Sequence, residues 1–438
     1  MHKEDNNMRN PVKMTKTTKA IKAAKETCRL LAKDVWVSND SFKTGKNNHD
    51  MVVGASCCGK TEGYVKPNIK CAESSMVVVD TKGLLFKISA PKLKKKGFEV
   101  VNIDFVNPER SAVYNMLDYV RTVYNKDGKT TYRQKDLRTI ANVLVPKEME
   151  KDDTFWVDSA RNVVISLMAY VMEVMEESER NMITVAKLFL LISSHLKEIE
   201  RRGEINFFEA LRAEDPESFA VAMYDSFRGV IASEKTWGCI KQFVANALDP
   251  FIYDDLKDMF NGKSTLDFAE LGRKKIILFV NISDTDRSMY PVVNVFYQQL
   301  FQALCNEADS KEYGRLLVPV RIIMDDFAAN FNIPDFDKII SVIRSRQIFV
   351  SIILQSISQL ECMYSGASAK TIINNCDYKV FYGGQDPDTV KYICDTANCI
   401  PEKITKMKAD DVCILVRGEE IKFAKKIDPY SMDYEKEV

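Results

Sequence analysis

Gly54, Gly59, Lys60 and Thr61 fall at the spacing G-x-x-x-x-G-K-[ST], and that spacing carries a specific chemistry. Backbone N–H groups of a tight turn, set at a helix start, converge on phosphate oxygens. The lysine reaches the β- and γ-phosphates, and the threonine hydroxyl ligates Mg²⁺. Ala55, Ser56, Cys57 and Cys58 fill the turn and complete the set expected to bind nucleotide. Cys57 and Cys58 read either as two small residues tolerated there or as a redox-sensitive loop. A second chemical pair stands at Asp325-Asp326, which closes the apolar run 318–324. An apolar strand ending in acids is the usual partner of a phosphate loop. Asp325 is assigned to the metal and Asp326 to the attacking water; the alternative is a pair of helix-capping carboxylates. Gln355 leaves the next apolar run, 348–354, as a γ-phosphate sensor or as an ordinary polar exit from a strand. Arg344 and Arg346 close the helix between these runs. Cations favour helix C-termini for dipole reasons alone; the sharper reading of this pair is an arginine finger.

The elements that must position these groups follow from period. Residues 51–53 are a short apolar strand before the turn. Pro67 interrupts the helix after it, so that helix is expected to be short or kinked. Residues 75–79 form a buried strand ending in Asp80-Thr-Lys-Gly83, a polar C-terminal edge of the kind where open α/β sheets place ligands. Residues 97–105 are a third strand. Strand and helix signals alternate, which favours a mostly parallel sheet. Over 123–248 the period changes to that of helices, with clear ones at 154–177, 183–201, 216–231 and 235–248. Strand signals resume at 275–282, 318–324, 348–354 and 378–382, the last before Gly383-Gly384. A hairpin is expected at 412–416 and 421–425 around Arg417-Gly418. The division expected is a basic N-terminal segment (1–35), a nucleotide-binding domain in two parts (36–122 and 251–438), and an all-α insertion domain (123–250). The fold class expected is α/β.

Composition narrows the function. The 438 residues carry 62 basic and 62 acidic side chains. This argues against a generally basic nucleic-acid coat and leaves room for a local basic channel. Hydrophobic residues make up 46%, enough for a large core. Eleven cysteines without C-x-x-C pairs and three histidines disfavour a zinc site and fit a reducing cytosol. The apolar run 162–175 is too short to span a bilayer, and no secretory signal is visible. Lys16, Lys19, Lys22 and Lys25 read as a solvated face or a frayed tail. The sharper alternative is a contact to anionic lipid or DNA.

Together the residues resemble a family. Gly54 to Thr61, Asp80-Thr-Lys-Gly83, Ile323-Met-Asp-Asp-Phe-Ala-Ala-Asn330 with Ile333-Pro-Asp-Phe336, Ile343-Arg-Ser-Arg346, Ser351-Ile-Ile-Leu-Gln-Ser356 and Asn374-Asn-Cys-Asp377 look like the TraG/TraD-type coupling proteins of type IV secretion systems. The resemblance spans residues 36–429. It implies a RecA-like P-loop NTPase domain with an inserted all-α domain, using ATP and Mg²⁺. It also implies a homo-hexameric ring at the cytoplasmic face of the bacterial inner membrane, beneath the subunits of a secretion channel. Such a ring would receive a relaxase-bound single DNA strand, or another secreted protein, and pass it on. Arg344 would be the finger and Gln355 the sensor. Three departures stand out. The family's N-terminal transmembrane helices are not visible, so membrane contact would come through a partner subunit or an anchor missing from the chain. Asp326 stands where the family often has Glu. Leu84 replaces the acid that usually follows Asp-Pro-Lys-Gly. Two alternatives stay open: a weakly active or inactive receptor for relaxase or effector proteins, and another P-loop DNA translocase.

Overall fold

The computed structural model describes residues 27–124, 128, 130–147, 154–201, 206–327 and 332–428, without the side chains of 194–201. The lysine run at 16–25 and residues 328–330 of the family-like stretch lie outside the described residues.

In chain order the strands are β1 (Cys28–Ala32), β2 (Val35–Ser38), β3 (Asp50–Val53), β4 (Ser75–Asp80), β5 (Glu99–Asp104), β6 (Thr122–Tyr124) and β7 (Thr130–Tyr132). They continue as β8 (Ile276–Asn281), β9 (Val320–Met324), β10 (Ile348–Leu354), β11 (Tyr378–Phe381), β12 (Asp411–Val416) and β13 (Lys422–Lys425). Nine of them form one sheet in the order β13-β12-β11-β3-β10-β9-β4-β8-β5. From β11 to β5 every neighbouring pair is parallel, and only the β11–β12 and β12–β13 pairings are antiparallel. The expected hairpin is therefore the edge of the main sheet.

The strands are short apolar runs because the sheet is covered on both faces. Met51 and Val53 pack into one core, and Val52 packs into the other. On the second face lie the β1–β2 hairpin and the segments 61–70 and 84–95. The first face carries helix Tyr290–Asp309 and, through helix Gln134–Leu144, the helical stretch. That stretch runs between β7 and β8, with helices Thr154–Val174, Met182–Arg201, Phe207–Glu214, Phe219–Ile231 and Glu234–Leu248. Thr154–Val174 is buried along nearly its whole middle, as a helix must be when others surround it.

Three local expectations change. Residues 28–32, assigned to the basic N-terminal segment, form β1, with Leu30 and Leu31 fully buried. The small antiparallel pair β6–β7 opens the stretch expected to be purely helical. The helix expected to be closed by Arg344 and Arg346 ends earlier: Phe336–Val342 is α-helical and Arg344–Arg346 is a 3₁₀ turn ended by Gln347 at φ 64°. Among the described residues no helix is long and apolar enough to cross a membrane.

Candidate nucleotide-binding site

β3 feeds the turn, and its neighbours on both sides hold the turn's first residues. Gly54 N–H donates to the Leu354 carbonyl at the end of β10 (3.2 Å), and Ala55 N–H donates to the Gly383 carbonyl beyond β11 (2.8 Å). A Cβ on Gly54 would lie 2.8 Å from Cys58 Sγ and 2.9 Å from Tyr382 Cβ, so only glycine fits. Cys57 (φ 60°) and Gly59 (φ 86°) turn the chain through the left-handed region. The helix begins at Thr61 as a π-turn to Val65 and continues as Lys66–Lys70, so Pro67 stands in its second turn, just past the π-turn. A proline that lacks an N–H falls where the regular hydrogen-bond ladder is already interrupted, and the helix is short as expected.

The two sites expected to share a metal meet. Thr61 Oγ1 donates to Asp325 Oδ2 at 2.6 Å, and Asp325 Oδ1 accepts the Asp326 N–H at 3.1 Å. Burial pushes the Asp325 carboxyl up, the Thr61 hydroxyl pulls it back, and Asp326 beside it pushes it up again. A divalent cation would reverse that balance. A hydroxyl and a carboxylate side by side suit Mg²⁺, which takes oxygen donors and leaves remaining positions to phosphates and water. Among the described residues no cluster of three or more His, Cys, Asp or Glu offers a complete protein cage.

Lys60 is buried, its ammonium donating to the loop's own carbonyls at Gly54 (2.6 Å) and Ala55 (3.0 Å). Asp326 is half-buried at φ 49°, a conformation that aspartate tolerates better than most residues. Gln355 follows Leu354 directly and is half-buried. Burial pushes the Cys58 thiol up against the pull of Lys60 and Lys426. It is therefore a weak nucleophile, while Cys57 is exposed. A cavity of about 590 Å³ opens beside the turn, lined by Ala55, Cys57, Gly59, Gln385, Met407 and Lys426 among others.

Arg344 does not join this constellation within one chain. It precedes β10, while Gln355 follows it. Seven strand residues separate the two ends by about 23 Å at ~3.3 Å per residue. Its charge is felt instead by His49, which stands just before β3 at the opposite end of the sheet. Arg346 is the structural arginine of the pair: it binds Asp309 (2.8 and 3.0 Å) and the Val342 carbonyl (3.0 Å). Among the described residues, Arg344 is half-buried with no ion pair or hydrogen bond to its side chain.

Sequence reasoning read Asp80 as part of a ligand edge. Its carboxylate accepts the Phe86 N–H (2.9 Å) and caps the turn into helix Leu84–Lys95. It also overlooked Tyr382, Lys426 and Asn281, whose amide donates to Asp104 at 2.7 Å. The Gly383-Gly384 pair was the available signal for Tyr382.

A family model described as type IV secretory system conjugative DNA transfer matches residues 2–397. Protein VirD4 of Rhizobium radiobacter is 23% identical over 352 residues, covering 80% of this chain and 48% of that protein. The chain spans about half the length of the curated relatives it matches. Two solved structures share the fold. The bacterial conjugative coupling protein TrwBdeltaN70, unbound monoclinic form, has a TM-score of 0.64 at 14% identity over 94% of this chain and 92% of that one. Plasmid coupling protein TrwB in complex with ADP and Mg²⁺ has a TM-score of 0.62 at 15% identity over 88% of this chain and 87% of that one.

Proposed function

The chain belongs to the type IV secretory system conjugative DNA transfer family, and from that premise we propose that it is an ATP-driven coupling protein that moves single-stranded DNA toward a secretion channel. Its fold is the expected α/β fold, RecA-like with a mostly parallel sheet and helices inserted between strands. The observation that carries the reading is the 2.6 Å contact between Thr61 and Asp325, residues 264 positions apart in the chain.

Each residue then has a task. The N–H groups of the turn 55–60 bind the phosphates of ATP. Lys60 exchanges the Gly54 and Ala55 carbonyls for the β- and γ-phosphates, a charge-assisted contact replacing two neutral acceptors. Thr61 and Asp325 would hold Mg²⁺, which when bound neutralises phosphate charge. Asp326 orients the attacking water and takes its proton, and Gln355 senses the γ-phosphate. Arg344 serves the neighbouring subunit's site, which fits its place a strand's length from its own Lys60. The assembly proposed is a homo-hexameric ring at the cytoplasmic face of the bacterial inner membrane. It would be held there by a partner subunit or by an N-terminal anchor missing from this sequence. Residues 123–250 form the proposed helical domain, facing relaxase-bound DNA or another secreted protein.

Steady-state ATP hydrolysis with and without single-stranded DNA tests this. Hydrolysis that rises with DNA is expected. Absence of hydrolysis under both conditions would replace the motor with a receptor that hands its cargo to a separate ATPase.

A further inference from the structure

Lys60 is not the only lysine on the phosphate loop. Lys426 follows β13 and reaches back across 368 positions to donate its ammonium to the Cys58 carbonyl at 2.8 Å. Its own backbone is fixed from outside the loop. Lys426 N–H donates to the Asp410 carbonyl (2.7 Å), and the preceding Lys425 carbonyl accepts the Lys33 N–H (2.9 Å). The ammonium also stands 5.4 Å from the centre of the Tyr382 ring. That ring is wedged against the loop's two flanks: Cβ atoms built on Gly54 and Gly63 would meet Tyr382 at 2.9 and 3.0 Å.

A phosphate loop works only while its carbonyls point outward and its N–H groups point in. Two lysines hold those carbonyls here. Lys60 holds Gly54 and Ala55, and Lys426 holds Cys58. Lys60 must release its carbonyls to reach phosphate, whereas Lys426 is anchored elsewhere and need not. The turn it steadies contains Cys57 at φ 60°, a conformation that strains a non-glycine residue and persists only when its surroundings fix it.

We infer that Lys426 is a positioning residue of the nucleotide site: it keeps the Cys58 carbonyl turned out, so that the loop's N–H groups stay convergent once Lys60 has moved to the phosphates. The inference rests on the nucleotide-binding reading above and adds to it a residue outside the phosphate-loop pattern.

Lys426→Met keeps an apolar stem of similar length and removes the ammonium. Calorimetric titration with magnesium and a non-hydrolysable ATP analogue should show affinity weakened about tenfold, the scale of one charged hydrogen bond. Lys426→Arg should restore most of it, and the melting temperature should be unchanged. Unchanged affinity in Lys426→Met would overturn the inference. So would a loss accompanied by lower melting temperature that arginine does not repair, since that is general destabilisation. Lys60→Ala in the same titration separates the two levels: if it too binds as tightly as the parent, the nucleotide-binding reading fails. Amine labelling of the unaltered chain needs no variant. Lys426 should remain protected relative to the exposed Lys422 when nucleotide is bound, and labelling as fast as that of Lys422 would count against the inference.

Discussion

The two ends of β3 are built on opposite principles. At its start, Asp50 is fully buried and saturated. Arg29 binds both its oxygens (2.8 Å each), and Arg321 (3.0 Å), Tyr64 (2.5 Å) and Ser351 (3.3 Å) converge on Oδ2. Burial pushes the Asp50 carboxyl up, but Arg29 and Arg321 outweigh it and hold it below the usual carboxylate range. At its other end the groups are few and exchangeable: Lys60 on carbonyls of its own loop, one Thr61–Asp325 contact, and left-handed backbone at Cys57 and Asp326. The ends are linked by Tyr64, three residues past Thr61, whose hydroxyl is bound to Asp50. In the motor proposed, one end would rearrange with each nucleotide, the mobile end, and the other would stay fixed, with the helix that starts at Thr61 tied to the fixed end through Tyr64.

Substitutions at the two ends should therefore fail in different ways. Asp326→Asn should bind ATP normally and lose about 10²- to 10⁴-fold in hydrolysis, the range for a lost general base, with an unchanged melting temperature. Single-turnover kinetics and thermal unfolding together check this; a hydrolysis rate untouched by Asn would remove Asp326 from the water-orienting role. Asp50→Ala should do the reverse. It leaves Arg29 and Arg321 without their buried partner, at a cost of about 3–5 kcal/mol in stability, measured by urea unfolding. If stability holds and only nucleotide affinity changes, the contrast between the ends is wrong. Over any one pH unit the smallest effect belongs to His49, fully buried beside Asp50. Burial and Arg321 hold its imidazole down at about 3, against an ordinary 6.5. Its Nδ1 accepts the Val350 N–H at 3.1 Å. The folded chain therefore leaves His49 neutral where the unfolded chain protonates it. Stability should fall as pH drops below 6.5 toward 3, by about 1.4 kcal/mol per unit. His49→Gln should remove that slope; an unaltered slope would place its origin in other groups.

Much of the mobile end was legible because its chemistry is written locally. The phosphate loop is one contiguous pattern, and β10 and the β12–β13 hairpin stand out as apolar runs bounded by polar punctuation. The fixed end was not legible. Arg29, Asp50, Tyr64, Arg321 and Ser351 carry no mutual spacing and become neighbours only when β1, β3, β9 and β10 align. β1 was hidden by the lysine-rich stretch before it. Helix Tyr290–Asp309 was left unassigned, because Val292, Val293 and Val295 blur its helical spacing with strand-favouring residues. Lys426 could not be tied to the loop, since no local pattern connects residues 58 and 426. Arg344 and Arg346 looked equivalent in sequence. The resemblance singles out Arg344, and the structure gives the physical difference by pairing Arg346 with Asp309.

In the ring proposed, each catalytic centre is completed by Arg344 of a neighbouring subunit. Lys60→Ala subunits cannot hold ATP but keep Arg344, and Arg344→Ala subunits hold ATP but lack the finger, which is worth about 10³- to 10⁵-fold in rate. Each variant alone should be nearly inactive. ATP hydrolysis measured after mixing them, with subunit exchange demonstrated, should recover part of the parent rate. A mixture as inactive as its two components would contradict the account and leave Arg344 as a residue of its own subunit's framework.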